Sequence, residues 1–265
     1  MTKNVMHIAR DGRERQDTMK KLLRTISVGF AALIGVFALF TAAPGAYAAG
    51  PTNEQVLVDQ AQITLNDFRN APEMGWFRDG LTDAKGILIV PSLVKAGLIF
   101  GGSGGKGVFL SRDMKTGKWK GPAFYNMGSL TYGLQIGAEK SEIVILAMTD
   151  DAVRTMISPS FKFGADASVA AGPVGIGAAG SVAPVPPAAF VAFARSKGLF
   201  AGLTIEGAVV TIDSDSNMAF YGGGVRPEDI ILTGSAVNHD AKGLRNALAD
   251  ALMENCNRLA KDCLY

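Results

Sequence analysis

A glycine-rich segment places a serine at the spacing of a hydrolase nucleophile. Gly101-Gly102-Ser103-Gly104-Gly105 matches G-x-S-x-G, in which a serine on a sharp strand-to-helix turn works with an acid and a histidine. The residues that follow, Val108–Leu110, favour a strand, and His239 is the only histidine after residue 48. A Ser103-dependent hydrolase is therefore a remote alternative, and we expect the protein not to be an enzyme.

Cofactor and metal motifs are equally incomplete. Gly102-x-Gly104-x-x-Gly107 has the spacing of a dinucleotide fingerprint, but no helix is predicted after it to hold the pyrophosphate. The segment Asp213-Ser214-Asp215-Ser216-Asn217 alternates oxygen ligands like a calcium loop, yet the later Gly and Glu are missing, which favours a polar hairpin turn. One histidine and two distant cysteines do not make a zinc site. We expect no cofactor and no metal.

The two cysteines, Cys256 and Cys263, lie seven residues apart in one predicted helix. That spacing is about 10 Å along a helix axis, too far for a disulfide within the helix. The spacing favours two buried thiols on one face, with an intermolecular disulfide as the alternative in an oxidising compartment. The sequence leaves their redox state open.

Positive charge is concentrated between residues 85 and 120. Seven cations and one acid, Asp113, give this stretch a net charge of +6. A surface of this kind can bind an anionic membrane, since each Lys or Arg held near anionic lipid contributes about 1 kcal/mol. The alternative is a set of solvated loop lysines. The seven cations are Lys85, Lys95, Lys106, Arg112, Lys115, Lys118 and Lys120.

The N-terminal region predicts export. Lys20, Lys21 and Arg24 precede an apolar run, and Ala46-Tyr47-Ala48 supplies a cleavage site, so residues 1–48 are interpreted as a signal peptide. A retained anchor is the alternative, and Met19 is an alternative start. Residues 1–48 carry seven Lys or Arg and three Asp or Glu of the chain's 26 and 24, which leaves residues 49–265 with a net charge of −2. That balance argues against nucleic acid as a partner.

The elements that must position these residues form an α+β pattern. A helix is predicted over Glu54–Asn70, capped by Thr52 or Asn53, with an apolar stripe that packs on a sheet; its acidic polar face argues against membrane contact. Between Lys85 and Ile212 the pattern is mostly that of strands, with Gly101–Gly105 as a hairpin tip. A short helix is predicted at Asp151–Ile157 and a terminal helix over His239–Leu264.

Several linked motifs together resemble one known family. They are AKGILIVPSLVKAGLIFGGSGGKGVFLSRD, GPAFYNMGSLTYGLQIGAEKSEIVILAMTDDAV, FKFGADASVAAGPVG, FVAFARSKGLFAGLTIEGAVV and AFYGGGVRPEDIILTG. In this order they are similar to the SYLF domain family, over about residues 55–260. The resemblance implies non-catalytic binding of phosphoinositides or other anionic phospholipids, and residues 49–265 are interpreted as a single SYLF-like lipid-binding domain.

The candidate headgroup-binding residues lie in the matched segments and the cationic stretch. Lys106, Arg112, Lys118 and Lys120 are predicted to contact phosphate, with Phe109 and Trp119 as interfacial anchors. Trp119 lies between two lysines and is the best single candidate, although packing at a hairpin edge is an equal alternative. Further candidates are Lys85, Lys95, Arg195 and Lys197.

The sequence therefore predicts an α+β fold with helices at both ends. Its glycine-rich, mainly antiparallel sheet is either open or curled into a barrel-like shape. The predicted function is peripheral binding of phosphoinositide-like or bacterial anionic lipid headgroups, in the periplasm or outside the cell. The alternative is an envelope scaffold that binds a protein partner through the sheet face. The sequence determines neither the lipid nor the oligomeric state.

Overall fold

The computed structural model describes residues 50–97, 100–132, 137–173, 188–196, 198–201 and 205–259. The residues from Pro51 onward belong to one compact unit. The signal-peptide prediction for residues 1–48 and the candidates Lys197 and Cys263 lie outside the described residues.

Helices flank the strand region at both ends of this unit, as predicted. The helices are α1 (Asn53–Asn70), α2 (Gly75–Asp83), α3 (Asp150–Thr155), α4 (Ser214–Tyr221), α5 (Pro227–Ile231) and α6 (Lys242–Leu259), with a 3-10 turn at His239–Ala241 before α6.

The described strands form a single mixed sheet in the order β5-β9-β3-β2-β1-β4-β7-β6, with β8 also paired to β7. Every pairing is antiparallel except β6 with β7. The strands are β1 (Gly86–Gly97), β2 (Phe100–Arg112), β3 (Trp119–Tyr132), β4 (Gly137–Ala147), β5 (Ser160–Lys162), β6 (Val169–Ala171), β7 (Phe190–Ser196), β8 (Leu199–Ala201) and β9 (Val209–Ile212).

The sheet curls so strongly that its two ends approach each other. Phe161 on β5 and Phe163 just after it contact Phe190 on β7, with ring centroids 6.0 and 5.2 Å apart. These strands are far apart in the strand order, so the contacts close the concave side around one apolar core. The predicted α+β fold with a mainly antiparallel sheet is confirmed, and its shape is a half-barrel.

Helices α1, α2, α4 and α6 cover the other face of the sheet, whereas α3 and α5 contribute to the concave core. Thr52 caps α1 by accepting a hydrogen bond from the Gln55 backbone N–H at 3.2 Å, and the apolar stripe of α1 is buried against β1 and β2. The α1 and α6 helices pack beside each other on this layer. The predicted packing role of α1 is confirmed.

An irregularity in β1 explains part of the glycine content. The pairing register of β1 shifts around Pro91, which has no N–H to give to a sheet ladder. The β2 backbone passes so close to the displaced segment that a Cβ at Gly105 would lie 2.4 Å from the Ser92 carbonyl oxygen. Gly101–Gly105 is therefore strand interior, paired with both β1 and β3, and the predicted hairpin tip is wrong.

Two further local predictions are corrected. Asp213–Asn217 is the start of α4, where Asp213 accepts hydrogen bonds from the Ser216 backbone N–H and hydroxyl, so the polar hairpin turn is wrong. Cys256 is disulfide-bonded, which corrects the interpretation of two buried thiols. The chain's only other cysteine is Cys263.

None of the described helices is both long enough and apolar enough to cross a bilayer.

Candidate functional site

A basic groove lies beside the turn that joins β2 to β3. Its walls are this turn, the loop that follows α5 and the first turn of α6, and it encloses about 270 Å³. The lining residues are Asp113, Thr116, Lys118, Trp119, Lys120, Gly121, Thr233, Gly234, Ala236, Val237 and Arg245. We refer to this cavity as the basic groove.

Lys120 connects the two sides of the basic groove. Its Nζ donates a hydrogen bond to the Leu232 carbonyl at 2.9 Å and pairs with Asp113 Oδ2 at 3.1 Å. Gly234, at φ 66°, allows the loop to approach closely, because a Cβ there would lie 3.0 Å from Cγ and Cδ of Lys120. The loop is therefore held against the strand by the lysine side chain.

Asp113 is the only carboxylate among the groove-lining residues. Its side chain accepts a hydrogen bond from Lys120 and from the backbone N–H groups of Lys115 and Thr116, and these lower its pKa to about 2. The carboxylate is thus ionised at any physiological pH and offsets one of the positive charges of the groove.

The remaining cations keep their charge available to a ligand. Arg245 donates to two neutral carbonyls, that of Gly121 at 2.9 Å and that of Asn238 at 3.0 Å, which orient the guanidinium without cancelling its charge. Lys118 is exposed at the rim, and Lys115 is exposed on the same turn. Three cations against one carboxylate make the groove suited to an anionic ligand.

Three other predicted candidates are committed to ion pairs elsewhere in the fold, and a fourth lies within a strand. Lys106 Nζ lies 2.6 Å from the buried Asp213 carboxylate, and Lys85 Nζ lies 2.8 Å from Asp150. Arg195 pairs with both Asp67 and Glu142. Lys95 is half-buried within β1, opposite Ser103 and Glu139 of the neighbouring strands. Of the candidates that the structure describes, Lys118, Trp119 and Lys120 line the basic groove.

Three candidates are buried in the fold. Trp119 is 6% exposed, although it lines the basic groove, and Phe109 is fully buried. Arg112 is 8% exposed, and its Nη1 donates to the Thr82 carbonyl at 2.8 Å. Both faces of the sheet carry an apolar core, so side chains that point to either face are buried. Trp119 belongs to the core under α1 and α6, and Phe109 belongs to the core on the concave side.

The sequence interpretation missed Arg245 and the loop after α5. Arg245 lies more than a hundred residues from the cationic stretch, so only the fold brings it to the groove. The small residues Gly234 and Ala236 were a weak signal of a close loop approach.

The motifs weighed for catalysis and metals lie within the sheet and at the start of α4. The Ser103 and Ser129 hydroxyl oxygens lie 2.8 Å apart on paired strands, and Ser103 is inside β2 rather than on a strand-to-helix turn. Throughout the described ranges, no three His, Cys, Asp or Glu residues are grouped closely enough to hold a metal ion.

Comparisons with known proteins identify similar chains. The family Ysc84, described as "Las17-binding protein actin regulator", matches residues 128–251. The chain is 32% identical over 187 residues to human SH3 domain-containing YSC84-like protein 1. The matched region covers 68% of this chain and 54% of that relative. It is 37% identical over 147 residues to LAS seventeen-binding protein 3 of Saccharomyces cerevisiae, or 54% of this chain and 32% of the relative. The chain thus spans about half the length, or less, of these curated relatives.

Proposed function

Because the chain belongs to the Ysc84/SYLF family, we propose that it binds anionic phospholipid headgroups as a peripheral, non-catalytic module. The observation that carries the proposal is the basic groove, where Lys118, Lys120 and Arg245 surround a cavity with one carboxylate. This chemistry agrees with the headgroup binding that the sequence resemblance implies.

The number of charges sets the strength of this interaction. Four cations, counting Lys115, less the one offset by Asp113 leave a net of three, and about 1 kcal/mol for each gives roughly 3 kcal/mol. That corresponds to a dissociation constant on the order of 10⁻² M for an isolated contact. A membrane that presents many anionic headgroups is therefore a more favourable ligand than a single soluble headgroup.

Vesicle co-sedimentation tests the proposal with the protein from Ala49 onward, which includes the whole compact unit and both of its cores. Vesicles of phosphatidylcholine alone are compared with vesicles that also contain phosphatidylglycerol. The site variant is Lys115→Glu with Lys118→Glu, because both side chains are exposed. Lys106 is not used, since a glutamate there would face the buried Asp213.

The matched control is Arg154→Glu with Lys162→Glu, two exposed cations on α3 and β5 that change the net charge equally. We expect wild type and control to sediment with the anionic vesicles only, and the site variant to stay in the supernatant with an unchanged circular dichroism spectrum. Absence of wild-type sedimentation at low ionic strength would refute the proposal.

A protein-binding module is the second candidate function. The relatives' names describe Las17 binding. In this chain, Leu130 on β3 is 94% exposed and Val94 on β1 is 48% exposed. Ionic strength separates the two functions, because salt screens contacts of exposed lysines with lipid and leaves an apolar protein contact largely intact.

The proposed location is outside the cytoplasm, peripheral to a membrane in the periplasm or beyond it. The signal-peptide pattern of residues 1–48 supports export, and the disulfide at Cys256 is chemically suited to an oxidising compartment.

A further inference from the structure

A second cationic cavity lies on the helix layer. The end of α1, the loop after it, α2 and the last turns of α6 enclose about 290 Å³, lined by Arg69, Arg78 and Arg258 among others. Arg258 and the groove residue Arg245 are at opposite ends of α6, roughly 20 Å apart along the helix axis. The two cavities are therefore separate. We refer to this one as the arginine pocket.

Arg78 is held in place by neutral groups. Its Nη1 donates hydrogen bonds to the carbonyls of Arg69 at 3.0 Å and Ala71 at 2.6 Å, where α1 ends. These partners fix the guanidinium plane and leave its charge uncancelled. Burial and the nearby charge of Arg258 both lower the pKa of Arg78, and the carboxylates of Asp79, Glu254 and Glu73 offset this only in part.

Arg69 is also only loosely compensated. Its Nη1 donates to the Ala247 carbonyl at 3.2 Å, and its ion pair with Glu254 is long, 3.6 Å, to a side chain that is 72% exposed. The Arg69 Nε is buried and has no hydrogen-bond partner within the described part of the chain. A buried donor in this state favours an additional acceptor.

Arg258 completes the set from α6. Its guanidinium donates to the Asn255 side-chain oxygen and pairs with Asp79. Asp79 and Glu254, the carboxylates that pair with these arginines, are substantially exposed, and Glu73 also acts on the charge of Arg78. The formal charges of the three arginines and three acids balance, so the case for an anionic ligand rests on the hydrogen-bonding groups: Arg78 is held by neutral carbonyls and the buried Nε of Arg69 has no acceptor within the described part of the chain.

We propose that the arginine pocket binds a phosphate oxyanion through Arg69, Arg78 and Arg258. Guanidinium forks match phosphate geometry, and a phosphate monoester offers three terminal oxygens to three arginines, whereas a carboxylate offers two. The cavity is at the lower end of the usual range of about 300–1,000 Å³, which suits a small ligand. The phosphate can come from a free ion, a soluble monoester or the monoester headgroup of phosphatidic acid.

Calorimetric titration of the protein from Ala49 with inorganic phosphate and with glycerol 3-phosphate tests this inference. Arg258→Gln removes the pocket charge least involved in capping α1, and Arg154→Gln on α3 is the matched surface control. We expect saturable binding by wild type and R154Q, and about tenfold or greater weakening in R258Q. If R258Q fails to fold, Arg69→Lys keeps the charge but removes the fork, and is expected to weaken binding likewise.

Vesicles containing phosphatidic acid identify the source of the phosphate. Binding of the soluble probes indicates a free ion or soluble monoester, and binding that depends on Arg258 only with vesicles indicates the lipid headgroup. No saturable binding of any of the three probes, or equal loss in R154Q, overturns the proposal. The inference is independent of the basic groove, because the Lys115 and Lys118 double variant should still bind phosphate; loss of binding there would also overturn it.

Discussion

At the scale of single residues, the partner of each cation decides whether it can serve a ligand. Lys106 neutralises Asp213, which is buried, and a buried carboxylate without its partner would carry a large desolvation penalty. Burial opposes ionisation of Asp213, but the hydrogen bonds from Lys106 and Ser216 outweigh it and keep the pKa of Asp213 below its usual value. The main role of Lys106 is therefore to neutralise Asp213 within the fold, whereas Lys118 forms no ion pair among the described contacts.

Asp113 limits the charge of the basic groove, and this can be measured. In Asp113→Asn the amide oxygen can still accept from the turn backbone, but the negative charge beside Lys120 disappears. We expect roughly fivefold stronger partitioning onto phosphatidylglycerol vesicles, because one repulsive charge is removed and Lys120 is released. Asp151→Asn, at an exposed position on α3, is the control and should leave partitioning unchanged.

The pH dependence of the same pair has a defined sign. The pKa of Asp113 is about 2 in the folded protein and near 4 in the unfolded chain. The stabilisation from its interaction with Lys120 is therefore fully present above about pH 4 and is lost as the pH falls from about 4 to about 2. Carboxyl chemical shifts of Asp113 should follow this low pKa. A midpoint near 4, or equal vesicle binding by D113N and wild type, would contradict the assigned role.

At the scale of secondary-structure elements, β1 and β2 constrain each other. The irregular segment around Pro91 displaces the Ser92 carbonyl towards Gly105, so an alanine Cβ there would clash at 2.4 Å. We expect Gly105→Ala to lower the free energy of unfolding by about 1–3 kcal/mol, because backbone atoms of β1 must move. Urea unfolding followed by tryptophan fluorescence measures this change.

The neighbouring glycine is a matched control. A Cβ at Gly104 would have no atom within 4 Å, so Gly104→Ala changes the same strand without a clash. Its unfolding free energy should equal that of wild type or exceed it slightly, because alanine reduces the entropy of the unfolded chain. Equal destabilisation by the two substitutions would show that the close approach of β1 is not the cause.

At the scale of the whole molecule, residues 1–48 and residues 49–265 carry net charges of opposite sign. The full chain has a net charge of +2 and an isoelectric point of about 8.5, whereas residues 49–265 have a net charge of −2. If export removes residues 1–48, the protein recovered from cells should focus below pH 7, since its carboxylates outnumber its lysines and arginines.

Isoelectric focusing beside the unprocessed chain, with intact mass, checks this prediction. The unprocessed chain is the control and should focus near pH 8.5. A cellular protein that focuses with it would rule out processing at residue 48. The basic groove would then belong to a protein whose N-terminal apolar run is retained, and membrane association would no longer require the groove.

The sequence by itself determined the α+β class, the mainly antiparallel sheet and the limits of α1 to within a residue. Periods of two and 3.6 residues and local caps such as Thr52 act over a few neighbouring residues, so they can be read directly. Motif order also indicated the family. The sequence alone did not indicate the helices α2, α4 and α5, because a short helix such as α4 depends on packing that local propensity does not encode.

Only the tertiary structure decided which cations form a site. Charge counting treated Lys106, Arg112 and Lys118 alike, but folding pairs the first with Asp213, buries the second and leaves the third at the groove. It also brings Arg245 to Gly121 and groups Arg69, Arg78 and Arg258 from three helices. Burial and ion pairing depend on distances between residues far apart in the chain, and those distances exist only once the sheet has curled and the helices have packed on it.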